Sequence, residues 1–104
     1  MKELLPHVYQ ATMNLKLGPA KLLTAMYVIK SEDAVILIDP FELQGAEAQE
    51  LDKIGKPTVI LIDGITHARD SNSYRKRYDA RVLSHHEAAP KLEIAVDDTF
   101  GDGE

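Results

Sequence analysis

Two short apolar runs, each ending in an aspartate, most constrain what this chain can fold into. They cover residues 34–39 and 58–63. A segment with helical spacing at 45–53, which Gly55 is predicted to stop, separates them. A second helix-like segment, 70–78, leads into a short strand at 81–84. Strands that alternate with helices are typical of crossover connections and parallel pairing. The second part of the chain is therefore predicted to be β-α-β-α-β.

The first part of the chain predicts antiparallel pairing instead. The segments 8–11 and 22–30 read as strands, Gly18 and Pro19 mark a turn, and the polar stretch 31–33 has hairpin length. We therefore expect an antiparallel meander before the crossover units. The fold class is α/β, with the character of a mixed α+β protein.

The last twenty residues give weaker patterns. We expect a short helix or turn at 85–92, a last strand at 93–96, and a turn-like acidic tail at 97–104. No repeat or low-complexity tract divides the chain, so we expect one domain over residues 1–104.

Composition excludes several classes of function. The 104 residues carry a net charge of −5, and nucleic-acid-binding domains usually have a basic surplus. No cysteine is present, which rules out disulfides, cysteine-based zinc sites and thiol nucleophiles. The longest apolar run is far too short for a membrane span. We expect a cytoplasmic protein with neither nucleic acid nor membrane as a partner.

The candidate chemistry lies just after the second apolar run. His67 and Asp70 follow a strand end, which is where an open α/β sheet usually places its functional groups. His67 has three interpretations: a structural histidine, a metal ligand, or a general base oriented by Asp70. A Ser-His-Asp triad with Ser71 is disfavoured because triads gather residues from distant segments. His85 and His86 are adjacent, point in different directions, and are interpreted as surface residues.

The order of these segments resembles the N-terminal half of a metallo-β-lactamase-fold hydrolase. The residues that carry the resemblance are the run Ala34-Val35-Ile36-Leu37-Ile38-Asp39-Pro40, the strand leading into Thr66-His67, the segment Tyr78-Asp79-Ala80-Arg81-Val82-Leu83-Ser84-His85, and the final Gly-containing turn. The resemblance implies half of an αββα sandwich of two sheets packed face to face. It spans almost the whole chain.

The ligand motif of that superfamily, H-x-H-x-D-H, is degenerate here. In a gap-free alignment His67 keeps the first histidine, while Arg69, Ser71 and Asn72 stand at the next three ligand positions. With one residue deleted, Asp70 takes the aspartate position and Ser71 the last histidine. At most two ligands, His67 and Asp70, survive in either alignment, and a catalytic zinc needs about three.

Arg69 is the most consequential of these replacements. A guanidinium stays protonated, so it opposes a metal cation in the same place. We expect Arg69 and Ser71 to form an anion-binding or substitute network, with a salt bridge from Arg69 to Asp70 or hydrogen bonds replacing the metal. No cofactor is then expected. Zinc, iron or manganese is implied only if another chain or a second half completes the site.

The residues therefore predict a metallo-β-lactamase-like protein that is non-catalytic and self-associating. A half sandwich would expose the inner face of its sheet, predicted to consist of Ile29, Val35, Leu37, Val59, Leu61 and Ile62, and such a patch favours a twofold homodimer. The alternative is a metal-dependent hydrolase of a small ester, thioester or phosphoester, completed by a second chain or a C-terminal half. A small-anion binder that uses Arg69 is a third hypothesis.

Overall fold

The fold is known from a computed structural model, which describes residues 1–63, 69–85, 89–91 and 96–100. Within these residues the chain forms one seven-stranded sheet, two α-helices and a short 3-10 turn. The elements are β1 (Lys2–Leu5), β2 (Val8–Leu17), β3 (Ala20–Lys30), β4 (Val35–Ile38), α1 (Ala46–Ile54), β5 (Val59–Ile62), α2 (Ser71–Tyr78), β6 (Arg81–His85), the 3-10 turn Ala89–Lys91, and β7 (Asp98–Phe100).

The antiparallel meander predicted for the first part is confirmed, and its hairpin is longer than expected. Strands β2 and β3 pair continuously from Val8 opposite Ile29 to Leu17 opposite Ala20. Only Gly18 and Pro19 form the turn, and Gly18 has a φ of 61°, as a two-residue hairpin turn with glycine first requires. Residues expected to lie in a loop therefore belong to strands.

The parallel crossover units of the second part are also confirmed. Strands β4, β5, β6 and β7 pair in parallel, and the strand order of the sheet follows the chain. Because right-handed crossovers that advance in one direction place their helices on the same side, α1 and α2 cover one face. They contribute Leu51 and Tyr74 to the core.

Local sequence explains where the helices begin and end. The glycine predicted to stop α1 is Gly55, with a φ of 146°; a Cβ on it would lie 3.0 Å from Cγ2 of Val35. Helix α2 starts after Asp70, whose carbonyl accepts the N–H groups of Ser73 and Tyr74. It ends at Asp79 in the left-handed conformation. No helix in the described ranges is long and apolar enough to cross a membrane.

The two faces of the sheet differ in burial. The helix-covered face includes Met26, Val28, Val35, Leu37, Ile60, Ile62 and Val82, all at most 6% exposed. The apolar centre of the helix-free face is half-buried and consists, by strand register, of Tyr27, Ile29, Ile36, Ile38, Val59, Leu61 and Leu83. One expectation is wrong in part: Val35, Leu37 and Ile62 belong to the helix-covered face, because side chains alternate between faces along each strand.

Two edge strands were not predicted. Strand β1 has four exposed residues and therefore no apolar periodicity to reveal it. Strand β7 occupies Asp98–Phe100, within the tail expected to be turn-like, because β6 offers it a parallel partner. Of the last strand predicted at 93–96, Val96 has no regular structure and the remainder lies outside the described residues.

Candidate functional site

The candidate site lies at one edge of the sheet, where parallel strands β4, β5 and β6 end. Because β3 runs antiparallel to β4, the middle of β3 comes to the same place. We call this region, formed by Ala25, Asp39, Asp63, Arg69 and Asp70, the strand-end edge. Among the predicted site residues, Arg69, Asp70 and Ser71 are brought together there. His67, the remaining candidate, lies outside the described residues, and so does His86.

Arg69 connects two strands at this edge. Its Nη1 donates hydrogen bonds to the carbonyl oxygens of Ala25 and Asp39, both at 2.7 Å. These carbonyls belong to β3 and to the residue just after β4. Bonds from a charged donor are short and stronger than bonds between neutral groups. The guanidinium therefore joins the meander to the first crossover unit.

Backbone strain also concentrates at the strand-end edge. Asp39 and Arg69 both have positive φ, at 52° and 46°, a conformation that costs a non-glycine residue on the order of 1 kcal/mol. Asp39 is 6% exposed, and its Oδ1 accepts the N–H of Asp63 at 2.8 Å. Strain of this kind persists only where surrounding contacts hold it, and here the Arg69–Asp39 hydrogen bond links the two strained residues.

Asp70 and Ser71 attach the start of α2 to the loop after β4. The N–H of Asp70 donates to Pro40 O at 3.1 Å, and Asp70 Oδ2 accepts the N–H of Glu42 at 2.8 Å. Ser71 is fully buried, and its hydroxyl has no hydrogen-bond partner in the described part of the chain. Arg69 and Asp70 thus both bind backbone groups of the 39–42 loop. They do not form the ion pair considered from the sequence.

A second network, built on Tyr74, was missed at the sequence level. The Tyr74 hydroxyl donates to Phe41 O at 2.8 Å and accepts the N–H of Leu43 at 2.9 Å. Burial raises the pKa of Tyr74 to about 12. The spacing of Tyr74 and Tyr78, four residues apart in a predicted helix, could have indicated a shared face.

Arg77 extends this network to the surface of α2. Its guanidinium lies 5.4 Å from the ring centre of Tyr74 and 5.7 Å from that of Tyr78, and it forms an ion pair with Glu42. The hydrogen bond with Glu42 raises the pKa of Arg77. The loop between β4 and α1 is therefore held by Asp70, Tyr74 and Arg77, all from one segment.

The metal centre implied by the resemblance does not fit the described residues of this edge. Across residues 1–63, 69–85, 89–91 and 96–100, no three His, Asp or Glu side chains form a group that could hold an ion. Asp70, one of two candidate ligands, already accepts a backbone N–H. Arg69 supplies a permanent positive charge beside it, which opposes a divalent ion.

Comparisons with solved structures identify the fold. The chain matches a metallo-β-lactamase from Pontibacter korlensis with a TM-score of 0.73 and 13% identity, covering 95% of this chain and 51% of that one. For the DIM-1 metallo-β-lactamase exposed to ceftazidime the TM-score is 0.71 with 9% identity, over 99% and 52% of the two chains. A metallo-β-lactamase from Erythrobacter litoralis gives 0.65 with 10% identity, over 94% and 43%.

These matches confirm the fold that the resemblance implied, the N-terminal half of a metallo-β-lactamase. The chain spans about half the length of the structures it matches. No protein-family model matches the sequence, and no curated protein matches it either. At these identities the similarity concerns the fold alone.

Proposed function

We propose that this chain is a non-catalytic module of the metallo-β-lactamase fold, held together without a metal ion and self-associating through the helix-free face of its sheet. The observation that carries the first half of this proposal is the hydrogen-bonded position of Arg69. In the gap-free alignment Arg69 stands at the second histidine of the ligand motif. The location we propose, the cytoplasm, rests only on the absence of cysteine.

Coulomb repulsion explains why Arg69 opposes a metal. Two unit positive charges about 4 Å apart repel each other by about 4 kcal/mol at an effective dielectric constant of 20, and a divalent ion doubles that figure. The guanidinium meanwhile has two carbonyl acceptors at 2.7 Å. The Arg69 guanidinium, itself a cation, thus joins β3 to the end of β4, so this connection does not need a bound ion.

The helix-free face supports self-association. From β3 to β6 the apolar centre of this face consists of Tyr27 and six aliphatic side chains, all half-buried. At about 4.8 Å between strands and 3.3 Å per residue, the five strands β2 to β6 present a surface on the order of 300 Å². A contiguous apolar patch of this size matches the largest patch on a typical monomer, and that patch is often functional.

A second copy of this chain is the occupant that the chemistry favours. In a twofold interface the same residues meet on both sides, so charged residues at the centre would repel each other. The centre of this face is uncharged; Arg81 and Asp98 lie at its far side and pair with each other at 3.4 Å. Two such faces can pack about 10 Å apart as a sandwich.

Metal analysis tests the first half of the proposal. We expect purified protein to contain no stoichiometric zinc, iron or manganese, and a chelator to leave its thermal unfolding midpoint unchanged. Stoichiometric metal that is lost in the His67→Ala variant would overturn the proposal. That outcome would favour the alternative, a metal-dependent hydrolase of a small ester, thioester or phosphoester completed by another chain or a C-terminal half.

Analytical ultracentrifugation tests the second half. We expect the wild-type protein to sediment as a dimer at micromolar concentration, and Leu61→Lys to sediment as a folded monomer because it places a charge on the helix-free face. Gln49→Lys, an exposed position on α1, is the matched control and should remain dimeric. A monomeric wild-type protein would refute self-association.

A further inference from the structure

The outer part of the β2–β3 hairpin projects beyond the sheet. Strand β4 pairs only with residues Tyr27–Lys30 of β3, so residues 14–23 form a two-stranded arm that has no further strand partner among the described residues. The arm leaves the sheet at the strand-end edge, where Arg69 binds Ala25 O. Leu22 and Leu23 on the arm are 53% and 66% exposed. Large apolar side chains exposed on a projecting hairpin suggest a contact that a single copy does not satisfy.

The segment that contains the arm, residues 4–31, also differs in charge from the remainder of the chain. Residues 4–31 contain three lysines and no acidic residue, although the chain has 17 acidic residues against 12 basic ones. The remainder therefore has a net charge of −8. Lys16 and Lys21 pair directly across the hairpin, and like charges in that position destabilise a strand pair. An acidic partner surface would remove this cost.

Strand register shows which way the two lysines face. Side chains alternate along a strand, so Lys16 and Lys21 share the side of Gln10 and Tyr27, which is the helix-free face. By the same alternation Asp63, the exposed residue that follows β5, lies on the side of Leu61. Basic and acidic groups thus occupy the same face, the lysines on the arm and the aspartate at the strand-end edge.

We propose that the arm of each copy docks on the strand-end edge of a second copy, with Lys16 and Lys21 against Asp63. This inference rests on the proposed face-to-face dimer. If the twofold axis runs along the strands, the β2–β3 side of one sheet faces the later strands of the other at the same edge. By register Lys21 lies four residues, about 13 Å, beyond the level of Asp63. Each arm therefore bends across the partner's strand-end edge to bring its lysines to Asp63, and Leu23 lies at that edge.

Charge complementarity within one chain favours a second copy over other partners. A protein with a net charge of −5 is repelled as a whole by polyanions such as nucleic acid and by anionic membranes. Two lysines near a membrane are a weak attraction, and a stable membrane anchor takes a second, independent element. A second copy supplies both the acidic residue and the apolar surface.

A charge-swap experiment tests the arm. One variant carries Lys16→Glu and Lys21→Glu, which keeps like charges opposite each other in the hairpin; the other carries Asp63→Lys. Each alone should dimerise about tenfold more weakly at low salt, since two exposed charge contacts per dimer reverse sign. Mixed together, they should form a heterodimer tighter than either homodimer, because both contacts are then complementary. Wild-type dimerisation should weaken as salt rises.

The control and the opposing outcomes separate the two proposals. The control variant carries Lys53→Glu and Lys76→Glu, which make the same charge change at exposed lysines of the two helices. It should dimerise as strongly as the wild-type protein, because its arm is unaltered. A wild-type dimer whose variants dimerise unchanged, or whose mixture gains nothing, would overturn the arm contact and leave the face-to-face dimer standing. A monomeric wild-type protein would overturn both. Binding to phosphatidylserine vesicles that requires Lys16 and Lys21, with dimerisation unaffected, would assign the arm to lipid instead.

Discussion

Strands β4 and β5 have the same sequence, Val-Ile-Leu-Ile, yet they bury opposite members of it. In β4 the first and third residues, Val35 and Leu37, are buried; in β5 the second and fourth, Ile60 and Ile62, are buried. The register explains this, because Ile36 lies opposite Val59 and the two strands are therefore out of phase by one residue. The sequence of a strand that is apolar on both sides does not determine which of its faces is buried. Its register with the neighbouring strands and the position of the crossover helices determine it.

The same comparison separates two kinds of apolar surface in one sheet. The helix-covered face is closed by Leu51 and Tyr74 and carries the stability of the single chain. The helix-free face holds equally apolar side chains that are only half-buried, so their exposed apolar area is available for association. Substitutions of the same residue type on the two faces should therefore have different consequences.

The largest expected effect comes from truncating the third residue of each strand. Leu37→Ala should lower the free energy of unfolding by about 2–5 kcal/mol, because it opens a cavity in a fully buried site. Leu61→Ala should cost about 1 kcal/mol in dilute protein, since its side chain is only half-buried. Urea unfolding at low protein concentration measures both. Equal losses of unfolding free energy in the two variants would show that the two faces do not differ in their contribution to the stability of the single chain.

An intermediate effect is expected from arginine truncation. Arg69→Ala should lower the free energy of unfolding by about 1.5–3 kcal/mol, because two carbonyl oxygens lose a charged donor. Arg81→Ala is the matched change on the helix-free face; its side chain is 63% exposed, and the expected cost is below about 0.5 kcal/mol. Hydrogen exchange at Ala25 and Asp39 should accelerate in the Arg69 variant alone. Unchanged stability in that variant would remove Arg69 from its proposed structural role.

The smallest expected effect comes from two tyrosine hydroxyls. Tyr74→Phe should cost about 1–2 kcal/mol, because the N–H of Leu43 and the carbonyl of Phe41 lose their partner. Tyr27→Phe removes only one long bond, 3.3 Å from Gln10 Nε2 on the helix-free face, and should be nearly neutral. Equilibrium unfolding of both variants measures the difference.

Titration tests the burial of Tyr74. Burial raises the pKa of Tyr74 from its ordinary value of 10 to about 12 in the folded protein. The folded state therefore binds this proton more tightly, and its stabilising contribution is complete below pH 10 and is lost as the pH rises towards 12. The loss in that interval should be smaller in Tyr74→Phe than in the wild-type protein. An identical pH profile in the two proteins would contradict the role of burial.

Sequence patterns predicted the order of elements because the crossover strands and helices are marked by clear breaks. Gly55 marks the end of the first helix, and the aspartates after the apolar runs mark the ends of two strands. The face of each strand could not be predicted, since β4 and β5 are apolar at every position. The edge strand β1 could not be predicted either, because its four exposed residues have no apolar period.

At the candidate site, the sequence indicated Arg69, Asp70 and Ser71 but not what they touch. The acceptors of Arg69 are backbone carbonyl oxygens. A pattern of side chains cannot predict such an acceptor, here Ala25 O, which is 44 residues away in the chain. The pattern does not single out Tyr74, because a tyrosine in a polar helix is typical of a surface position. The predicted roles of Arg69 and Ser71 in anion binding, and of His67 and Asp70 as metal ligands, stay predictions.

The sequential strand order has a consequence for how the molecule is made. Every described strand pairs with the one immediately before it, so each new strand that leaves the ribosome meets a template already in place. Sheet growth can therefore proceed stepwise during translation, with short loops to close at each addition. The hairpin of β2 and β3, the longest ladder among the described strands, is the natural starting point for that growth.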